Sequence, residues 1–277
     1  MPILMSLFLG LVQGIAEFLP ISSSGHLSIL QNLFGMDPSD LLFSVLMHLG
    51  TLVSIFVVYR KEIKEMVTDG IDYLRMRGDS DLDEPVSLKP PARALLFILV
   101  GTLPMIIALI FRGYVDRLFA IPAFVGLALL VTGGLLFVSD RFIQKGSKTE
   151  KTMTLTDAII IGLAQAAAIL PGLSRSGATI SVGRARGLSD GFAINFSLLL
   201  SIPAVLGATV VELYLAIRDG ADFSLFPVYL AGFVVAAIVG FFAIQLIRRL
   251  MAKGGFGKFA YYCWGVGALT IILSFIL

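Results

Sequence analysis

Six stretches of the sequence contain no Asp, Glu, Lys or Arg over about the length that a helix needs to cross a membrane, and this feature constrains the fold more than any other. The hydrocarbon core of a bilayer takes about 20 apolar residues per helix. The stretches run from Leu41 to Tyr59, Ala94 to Phe111, Leu118 to Ser139, Gly191 to Val211, Phe223 to Ile247 and Phe259 to Leu277. The sequence therefore predicts an all-α polytopic membrane protein with six transmembrane helices.

The composition excludes a water-soluble enzyme of this length. Hydrophobic residues make up 57% of the 277 residues and charged residues only 14%, whereas soluble proteins average about 25% charged. The 21 Lys and Arg are dispersed and the net charge is +2, so no basic patch indicates a nucleic-acid partner. The single cysteine, Cys263, excludes an intramolecular disulfide.

Two further apolar stretches are each followed closely by proline, glycine and serine. Met1 to Ala16 precedes Pro20-Ile-Ser-Ser-Ser-Gly25, and Ala158 to Ser174 overlaps Pro171-Gly-Leu-Ser-Arg-Ser-Gly177. Residues of this kind stop helices, and non-helical backbone at membrane depth is tolerated only where it lines a protein cavity. We therefore expect two re-entrant helix pairs. Since no Lys or Arg precedes the first apolar stretch, we expect no removable signal peptide.

Lys and Arg are unevenly divided between the predicted connections. Residues 60–93, 141–151, 184–186 and 248–258 hold seven, four, two and four of them, whereas the opposite side holds only Arg112, Arg117 and Arg218. Because positively charged connections stay on the cytoplasmic side, the first group is predicted to be cytoplasmic, including a charged loop of about residues 60–93. We expect the site between the re-entrant pairs to open to the extracytoplasmic side of the plasma membrane.

A shift of 152 residues aligns the first break with the second. Seven of the sixteen residues at positions 10–25 are identical to those at the shifted positions, among them Gln13, which aligns with Gln165. Each half, about residues 1–140 and 150–277, thus holds one re-entrant pair and three spans within a single membrane domain. Since three is an odd number, the halves are predicted to form an inverted-topology repeat, in which broken helices meet near the midplane. Chance similarity between apolar helices is the alternative.

The first break carries polar groups that are rare inside a membrane. Gln13 and Glu17 are four residues apart and so share one face of a helix, where an amide oxygen and a carboxylate could hold Mg²⁺ or Ca²⁺. After Pro20 the chain continues as Ser22-Ser23-Ser24-Gly25-His26. A helix that begins there would offer free N–H groups to a phosphate.

The second break repeats the hydroxyl-rich helix start as Ser174-Arg175-Ser176-Gly177-Ala178-Thr179, with Arg175 where the first half has Ser23. Arginine is suited to bidentate recognition of phosphate. If inverted symmetry brings the two breaks together, one supplies an acid, hydroxyls and an imidazole, and the other supplies a fixed cation. This combination predicts a phosphoryl-transfer site.

Simpler roles stay open for each of these residues. Glu17 could be a partly hydrated carboxylate at a helix end, and Arg175 could extend to the cytoplasmic surface. The serines could cap a helix, and His26 could bond a backbone carbonyl. His48, inside an apolar stretch, is either a support for the site or a helix-packing contact.

The two motifs together resemble those of the undecaprenyl-diphosphate phosphatases, also called bacitracin-resistance proteins. They are Gln13-Gly-Ile-Ala-Glu-Phe-Leu-Pro-Ile-Ser-Ser-Ser-Gly-His26 and Pro171-Gly-Leu-Ser-Arg-Ser-Gly-Ala-Thr179, and Met47-His-Leu-Gly-Thr51, Gly101-Thr-Leu-Pro104 and Phe196-Ser-Leu-Leu-Leu-Ser-Ile-Pro203 are also similar to the family. The resemblance implies a membrane hydrolase that converts a C55 polyprenyl diphosphate to the monophosphate plus inorganic phosphate. This reaction recycles the lipid carrier for peptidoglycan synthesis and confers bacitracin resistance. A divalent cation is implied as well.

The resemblance also assigns residues. The family's Glu/Gln-x-x-x-Glu motif falls on Gln13 and Glu17, its serine and histidine on Ser23 and His26, and its arginine on Arg175. Because the first motif position is Gln, its direct contact with the metal is left open, as is the nucleophile among Ser23, His26 and water. The remaining polar residues and glycines at the two helix starts are expected to bind phosphate: Ser22, Ser24, Gly25, Ser174, Ser176, Gly177 and Thr179.

Two other classes of protein are left open. Inverted repeats with broken helices also build transporters, so a lipid flippase would explain the fold, and a membrane scaffold subunit would explain the helices alone. A transporter of anionic lipids needs the cation of Arg175 but has less need of Glu17 beside a hydroxyl and an imidazole. The chain-length preference and the oligomeric state, with a homodimer among the alternatives, are not fixed by the sequence.

Overall fold

The computed structural model describes residues 2–36, 41–78, 88–220 and 223–276. Within these ranges the regular structure is helical, and no β-strand is found there. The helices are α1 Ile3–Ala16, α2 Ser23–Leu33, α3 Leu41–Val58, α4 Arg60–Gly78, α5 Pro90–Thr102, α6 Pro104–Ile110, α7 Arg112–Leu118, α8 Pro122–Phe142, α9 Leu155–Ala167, α10 Arg175–Ala185, α11 Asp190–Arg218, α12 Phe226–Ala252 and α13 Lys258–Ser274. Four of them, α5, α6, α8 and α12, have proline in the first two positions, where its missing N–H costs no hydrogen bond.

Five helical segments are long and apolar enough to cross a membrane. They are Leu41–Val58, Pro90–Ile110, Pro122–Phe142, Asp190–Arg218 and Phe223–Ala252. Helices α1 and α9, the two that precede the predicted breaks, are apolar but shorter. The predicted class, an all-α multi-pass membrane protein, is therefore confirmed. Helix α13 has 17 residues and is not one of the five, so the sixth span and the re-entrant topology stay predictions.

The connection predicted as a charged loop at residues 60–93 is instead largely helical. Helix α4 occupies Arg60–Gly78, and residues 79–87 lie outside the described part of the chain. Its sequence is rich in Arg, Lys, Glu and Met, which have high helix propensity. Met66 is buried and Ile63 packs against the main core, so tertiary contacts stabilise this helix in addition to its propensity.

The two halves of the sequence exchange packing partners. Helix α1 packs along α12 of the second half, and α9 packs along α5 of the first half. Each contact includes a close approach of two glycines, Gly10 against the carbonyl of Gly232 and Gly162 against the carbonyl of Gly101. Small residues let membrane helices approach closely. The sequence repeat therefore has a counterpart in how the first helix of each half is packed.

Ion pairs hold the end of the bundle where α9 begins. Asp157, fully buried, accepts from Lys148 at 2.9 Å and from Arg186 at 2.8 Å, and it forms a capping box with Thr154. Arg184 donates to Asp190 at 2.9 Å and to the backbone carbonyl of a neighbouring helix, α8. Buried charges are stable only when they are paired in this way. The start of α9 and the end of α10 are thereby fixed to the rest of the fold.

Candidate active site

The first break places a carboxylate and a hydroxyl at the facing ends of two helices. Helix α1 ends at Ala16 with Glu17 as its C-cap, and α2 begins at Ser23 after Ser22, which caps it by accepting from the N–H of Gly25 at 3.3 Å. Ser22 has φ 70°, the only positive φ of a non-glycine residue in the described ranges. Such a conformation persists only where the surroundings enforce it. The backbone is thus held in a strained turn immediately before the Ser23 hydroxyl.

Glu17 is the centre of the hydrogen-bonded cluster. Its Oε1 accepts from Nη2 of Arg175 at 2.6 Å, and its Oε2 accepts from Oγ of Ser23 at 2.6 Å and from Nε2 of Gln13 at 3.1 Å. Nε2 of His48 lies 4.0 Å from the same Oε2. The Glu17 side chain is 6% exposed. Residues that are 158 positions apart in the sequence therefore meet at one carboxylate.

Arg175 enters the cluster from the second break. It is the first residue of α10, whose N-cap Ser174 accepts from the N–H of Gly177 at 3.1 Å, as Ser22 does for α2. Nη1 of Arg175 is buried and has no hydrogen-bond partner among the described residues. A buried donor without an acceptor is costly. Arg175 thus holds Glu17 with one nitrogen and keeps another available for an anionic ligand.

The two breaks touch directly. A Cβ on Gly25 would lie 2.9 Å from Cα of Gly172, so no side chain fits between them. Gly172 itself has φ 93°, which glycine adopts without strain. These two glycines let the start of α2 approach the loop that precedes Arg175.

A cavity of about 230 Å³ opens beside the cluster. Its polar lining includes Glu17, Ser23, Arg175, His48, Gln165 and Glu212. Apolar residues from several helices complete the wall, among them Phe43, Met105, Phe119, Leu173 and Val205. A few polar groups converging in an apolar pocket are typical of a ligand site. This lining suits a charged headgroup on an apolar lipid.

The predicted site residues divide into those that line the cavity and those that do not. Gln13, Glu17, Ser23 and Arg175 form the cluster, of which all but the fully buried Gln13 line the cavity, and Ser22, Ser24 and Ser174 also lie on its wall. Ser176, Gly177 and Thr179 are buried away from it, and the hydroxyls of Ser176 and Thr179 donate to the backbone carbonyls of Leu19 and Arg175. Gly25 serves the close approach described above. The predicted role of these residues in binding phosphate stays a prediction.

His26 and His48 are placed differently. Nδ1 of His26 donates to the carbonyl of Ser22 at 2.8 Å, and its Nε2 lies 2.8 Å from the hydroxyl of Tyr262, on which the imidazole stacks. Nδ1 of His48 donates to the carbonyl of Ser44 at 2.9 Å. Nε2 of His48 therefore faces the Glu17 carboxylate. Both nitrogens of His26 have partners, one on the cavity wall at Ser22 and one outside the cavity lining at Tyr262.

The cluster offers two oxygen-bearing side chains to a divalent cation. Oε1 of Gln13 is buried and has no hydrogen-bond partner in the described structure, and Glu17 lies beside it. A carboxylate has about four lone-pair sites, of which the contacts described above use three. No group of three His, Cys, Asp or Glu residues suited to a metal is found among the described residues. The donor set therefore fits a hard cation that takes its remaining ligands from phosphate oxygens or water.

The cavity lining includes polar residues that the sequence does not predict as part of the site, among them Glu212, His48 and Gln165. Glu212 follows the last residue of a predicted span, and His48 was assigned only as a support or a packing contact. Gln165 could have been found, because the repeat aligns it with Gln13. The repeat is thus a sequence signal for Gln165. No such signal exists for His48, because its position depends on how α3 packs.

The fold and the cluster define a multi-pass membrane protein with a carboxylate, a hydroxyl and a guanidinium joined inside its helical bundle. The family model of the Bacitracin resistance protein BacA matches residues 6–269. The undecaprenyl-diphosphatase of Carboxydothermus hydrogenoformans is 39% identical over 273 residues, covering 97% of this chain and 96% of that protein. The undecaprenyl-diphosphatase of Methanosphaera stadtmanae is 38% identical over 99% of both chains, and undecaprenyl-diphosphatase 1 of Shouchella clausii is 38% identical over 99% of this chain and 97% of its own.

The chain therefore belongs to the bacitracin resistance protein BacA family. The resemblance drawn from the two motifs is confirmed over nearly the whole length of the sequence.

Proposed function

We propose that the chain is a membrane phosphatase that hydrolyses undecaprenyl diphosphate to undecaprenyl phosphate and inorganic phosphate. The reaction recycles the lipid carrier for peptidoglycan synthesis and confers resistance to bacitracin. The observation that carries the proposal is the meeting of Glu17, Ser23 and Arg175, with 2.6 Å contacts from both partners to the carboxylate. The names of the relatives support the same substrate.

The hydrogen bond between Ser23 and Glu17 favours the serine hydroxyl over water as the nucleophile, because a nucleophile and its base must be within hydrogen-bond reach. The proton of Ser23 passes to Glu17 as Oγ bonds to the terminal phosphorus. The bond from phosphorus to the bridging oxygen breaks, and its electrons leave with the polyprenyl monophosphate. Water then bonds to the phosphorus of the phosphoserine as the bond from phosphorus to Oγ breaks. Glu17 returns its proton to Oγ, and inorganic phosphate leaves with the protons of the water.

Arg175 offsets the charge on the transferring phosphoryl group, since catalysis of phosphoryl transfer depends mainly on positioning and electrostatics. Gln13 and Glu17 would hold Mg²⁺ or Ca²⁺, which supplies further neutralisation of the diphosphate. His26 is retained as the acid or base that the family resemblance assigns. His48 is an alternative for that role, because its Nε2 lies 4.0 Å from the Glu17 carboxylate.

The proposal includes the finer topology: six spans, two re-entrant pairs, an inverted repeat, and a site that opens to the extracytoplasmic side of the plasma membrane. The uneven distribution of Lys and Arg and the exchanged packing of α1 and α9 support it. A membrane-impermeant maleimide should label Arg117→Cys from outside intact cells but not Ser147→Cys, each in a Cys263→Ala background. Equal labelling of the two cysteines from outside would overturn the topology.

The activity is tested by phosphate release from undecaprenyl diphosphate and farnesyl diphosphate by the detergent-purified protein, with and without EDTA. We expect release by the wild-type protein that EDTA suppresses and that Mg²⁺ or Ca²⁺ restores. Release that EDTA leaves unchanged would remove the metal from the proposal but keep the phosphatase. A folded protein that binds the lipid and releases no phosphate would favour the lipid flippase.

A further inference from the structure

Gln165 is a buried amide whose two polar atoms have no hydrogen-bond partner. It lies near the end of α9, is 2% exposed, and neither its Oε1 nor its Nε2 is paired in the described part of the protein. It also lines the cavity beside Glu17 and Arg175. Buried polar groups in proteins are nearly always hydrogen-bonded, so an amide with both ends unpaired calls for an explanation.

The sequence repeat shows what this amide lacks. In the first half, Gln13 donates to Glu17 four residues later, across one turn of helix. In the second half, the residue four positions after Gln165 is Ile169, which cannot accept a hydrogen bond. The glutamine is therefore present in both halves, but only the first half has a carboxylate to pair with it.

A glutamine with no partner destabilises the fold, because burying an amide without compensation costs free energy. Leucine has a similar size and would avoid this cost at an apolar site. Nη1 of Arg175, a residue that lines the same cavity, is likewise buried and has no acceptor among the described residues. Two unpaired donors at one cavity are complementary to a ligand with several anionic acceptor atoms.

We propose that Gln165 is a phosphate-binding residue of this site, with its Nε2 donating to a non-bridging oxygen of the lipid diphosphate beside Nη1 of Arg175. The inference rests on the proposed function for the identity of the ligand. The amide supplies a neutral donor, so it orients the headgroup without adding charge. The first half of the repeat supplies the acid and the hydroxyl, and the second half supplies two donors.

The test is the variant Gln165→Leu, compared with Ser181→Ala as a matched control. Ser181 is also buried with an unpaired hydroxyl in α10, but it does not line the cavity. Two quantities are measured for each protein: the rate of phosphate release from farnesyl diphosphate, and the affinity for the methylene-bridged diphosphonate analogue of farnesyl diphosphate, which cannot be cleaved. The thermal unfolding midpoint in detergent is measured alongside.

For Gln165→Leu we expect kcat/KM and the affinity for the analogue to fall by about 10- to 100-fold, the range for a hydrogen bond to a charged group. The unfolding midpoint should be unchanged or higher, because an unpaired buried amide is removed. Ser181→Ala should keep wild-type activity and affinity with an equal or higher midpoint. Loss of activity together with a lower midpoint would overturn the proposal, because it would make Gln165 a structural residue.

Wild-type activity and affinity in Gln165→Leu would also overturn it, and the proposed function would stand. A change confined to the Mg²⁺ concentration needed for half-maximal turnover would overturn it as well, because the amide oxygen would then be a cation ligand. A third outcome is that the wild-type protein binds the analogue but releases no phosphate, and that Gln165→Leu abolishes the binding. The proposed phosphatase activity would then be wrong, and the phosphate-binding role of Gln165 would stand.

Discussion

Both breaks join an apolar helix to a shorter one, but they differ in chemistry and in the backbone of the capping serine, which has φ 70° at Ser22 and −71° at Ser174. In each, an apolar helix of 13 or 14 residues ends and an 11-residue helix begins after a serine whose hydroxyl accepts from the N–H three residues later. Two of the aligned positions at which the side chains differ belong to the cluster around Glu17. In the alignment of the two halves, Glu17 corresponds to Ile169 and Ser23 corresponds to Arg175.

The difference shows which part of the repeat is structural and which is functional. The serine caps and the glycine contacts of α1 and α9 occur in both halves, because each helix start and each helix crossing needs them. The acid and the cation occur once each, as the proposed phosphoryl-transfer site requires. The ion pair between Glu17 of the first half and Arg175 of the second half joins the two breaks.

The largest effect is expected at the pair that joins the halves. Glu17→Gln and Arg175→Ala should each lower kcat/KM for undecaprenyl diphosphate by about 10³- to 10⁵-fold, because each removes charge stabilisation or the base from the transition state. Steady-state phosphate release measures the loss. Ile169→Ala, at the position aligned with Glu17, is the matched control and should lose less than about tenfold. Near wild-type turnover in either charged-site variant would contradict the assignment.

The next largest loss of activity is expected at Ser23, which aligns with Arg175 in the repeat. Ser23→Ala should lower kcat by about 10²- to 10⁴-fold, because the remaining route is attack by water held at the same carboxylate. Acid quenching of the wild-type protein with substrate labelled on its terminal phosphate should trap phosphoserine at residue 23. Ser6→Ala, which removes a buried hydroxyl of α1 that does not line the cavity, should keep most of the activity. Wild-type turnover by Ser23→Ala, with no phosphoprotein trapped in the wild-type protein, would indicate that water is the nucleophile.

Substitution of either histidine should lower kcat by less, and the loss should be larger for His48 than for His26. His48→Ala should lower kcat by about 10- to 100-fold, because the imidazole faces Glu17 and its loss shifts the carboxylate. His26→Ala should cost less, since its ring nitrogens have Ser22 and Tyr262 as partners. Rate measurements on both variants over a range of pH values check the ranking. The reverse ranking would support the acid-base role that the family resemblance assigns to His26.

The smallest effect tests the structural symmetry. Gly10→Ala and Gly162→Ala should each lower the free energy of unfolding by about 1–3 kcal/mol, because the added methyl group meets a backbone carbonyl of the facing helix. The two losses should be similar, as measured by thermal unfolding in detergent. Gly134→Ala in α8 has open space around the added methyl group and should be neutral or slightly stabilising. Unequal losses at the two glycines would show that the packing of α1 and α9 is less symmetric than their glycine contacts indicate.

Much of the site is predictable from local sequence. The four-residue spacing predicted that Gln13 and Glu17 share a helix face, and their side chains are hydrogen-bonded. The proline and serine clusters predicted where α1 ends and where α2 begins. Local rules suffice here because caps and i, i+4 contacts depend on residues within one or two turns.

The remainder depends on contacts between distant elements. Nothing in the sequence around His48 indicates that α3 packs with this residue towards Glu17. Residues 60–78 depart from the predicted charged loop and form a helix, because their charged residues are strong helix formers and Met66 is buried against the core. Unpaired atoms such as those of Gln165 can be identified only when every neighbour has been located.

The contact between Gly25 and Gly172 has a mechanical consequence. Because backbone meets backbone there, the start of α2 cannot move closer to the second break, and the hydrogen bonds of Ser23 and Arg175 to Glu17 oppose movement away from it. The protein then needs little rearrangement as charge develops on the phosphoryl group, and a small reorganisation energy is the condition under which fixed dipoles and charges accelerate a reaction most. Two residues without side chains thus determine how rigidly the reacting groups are held.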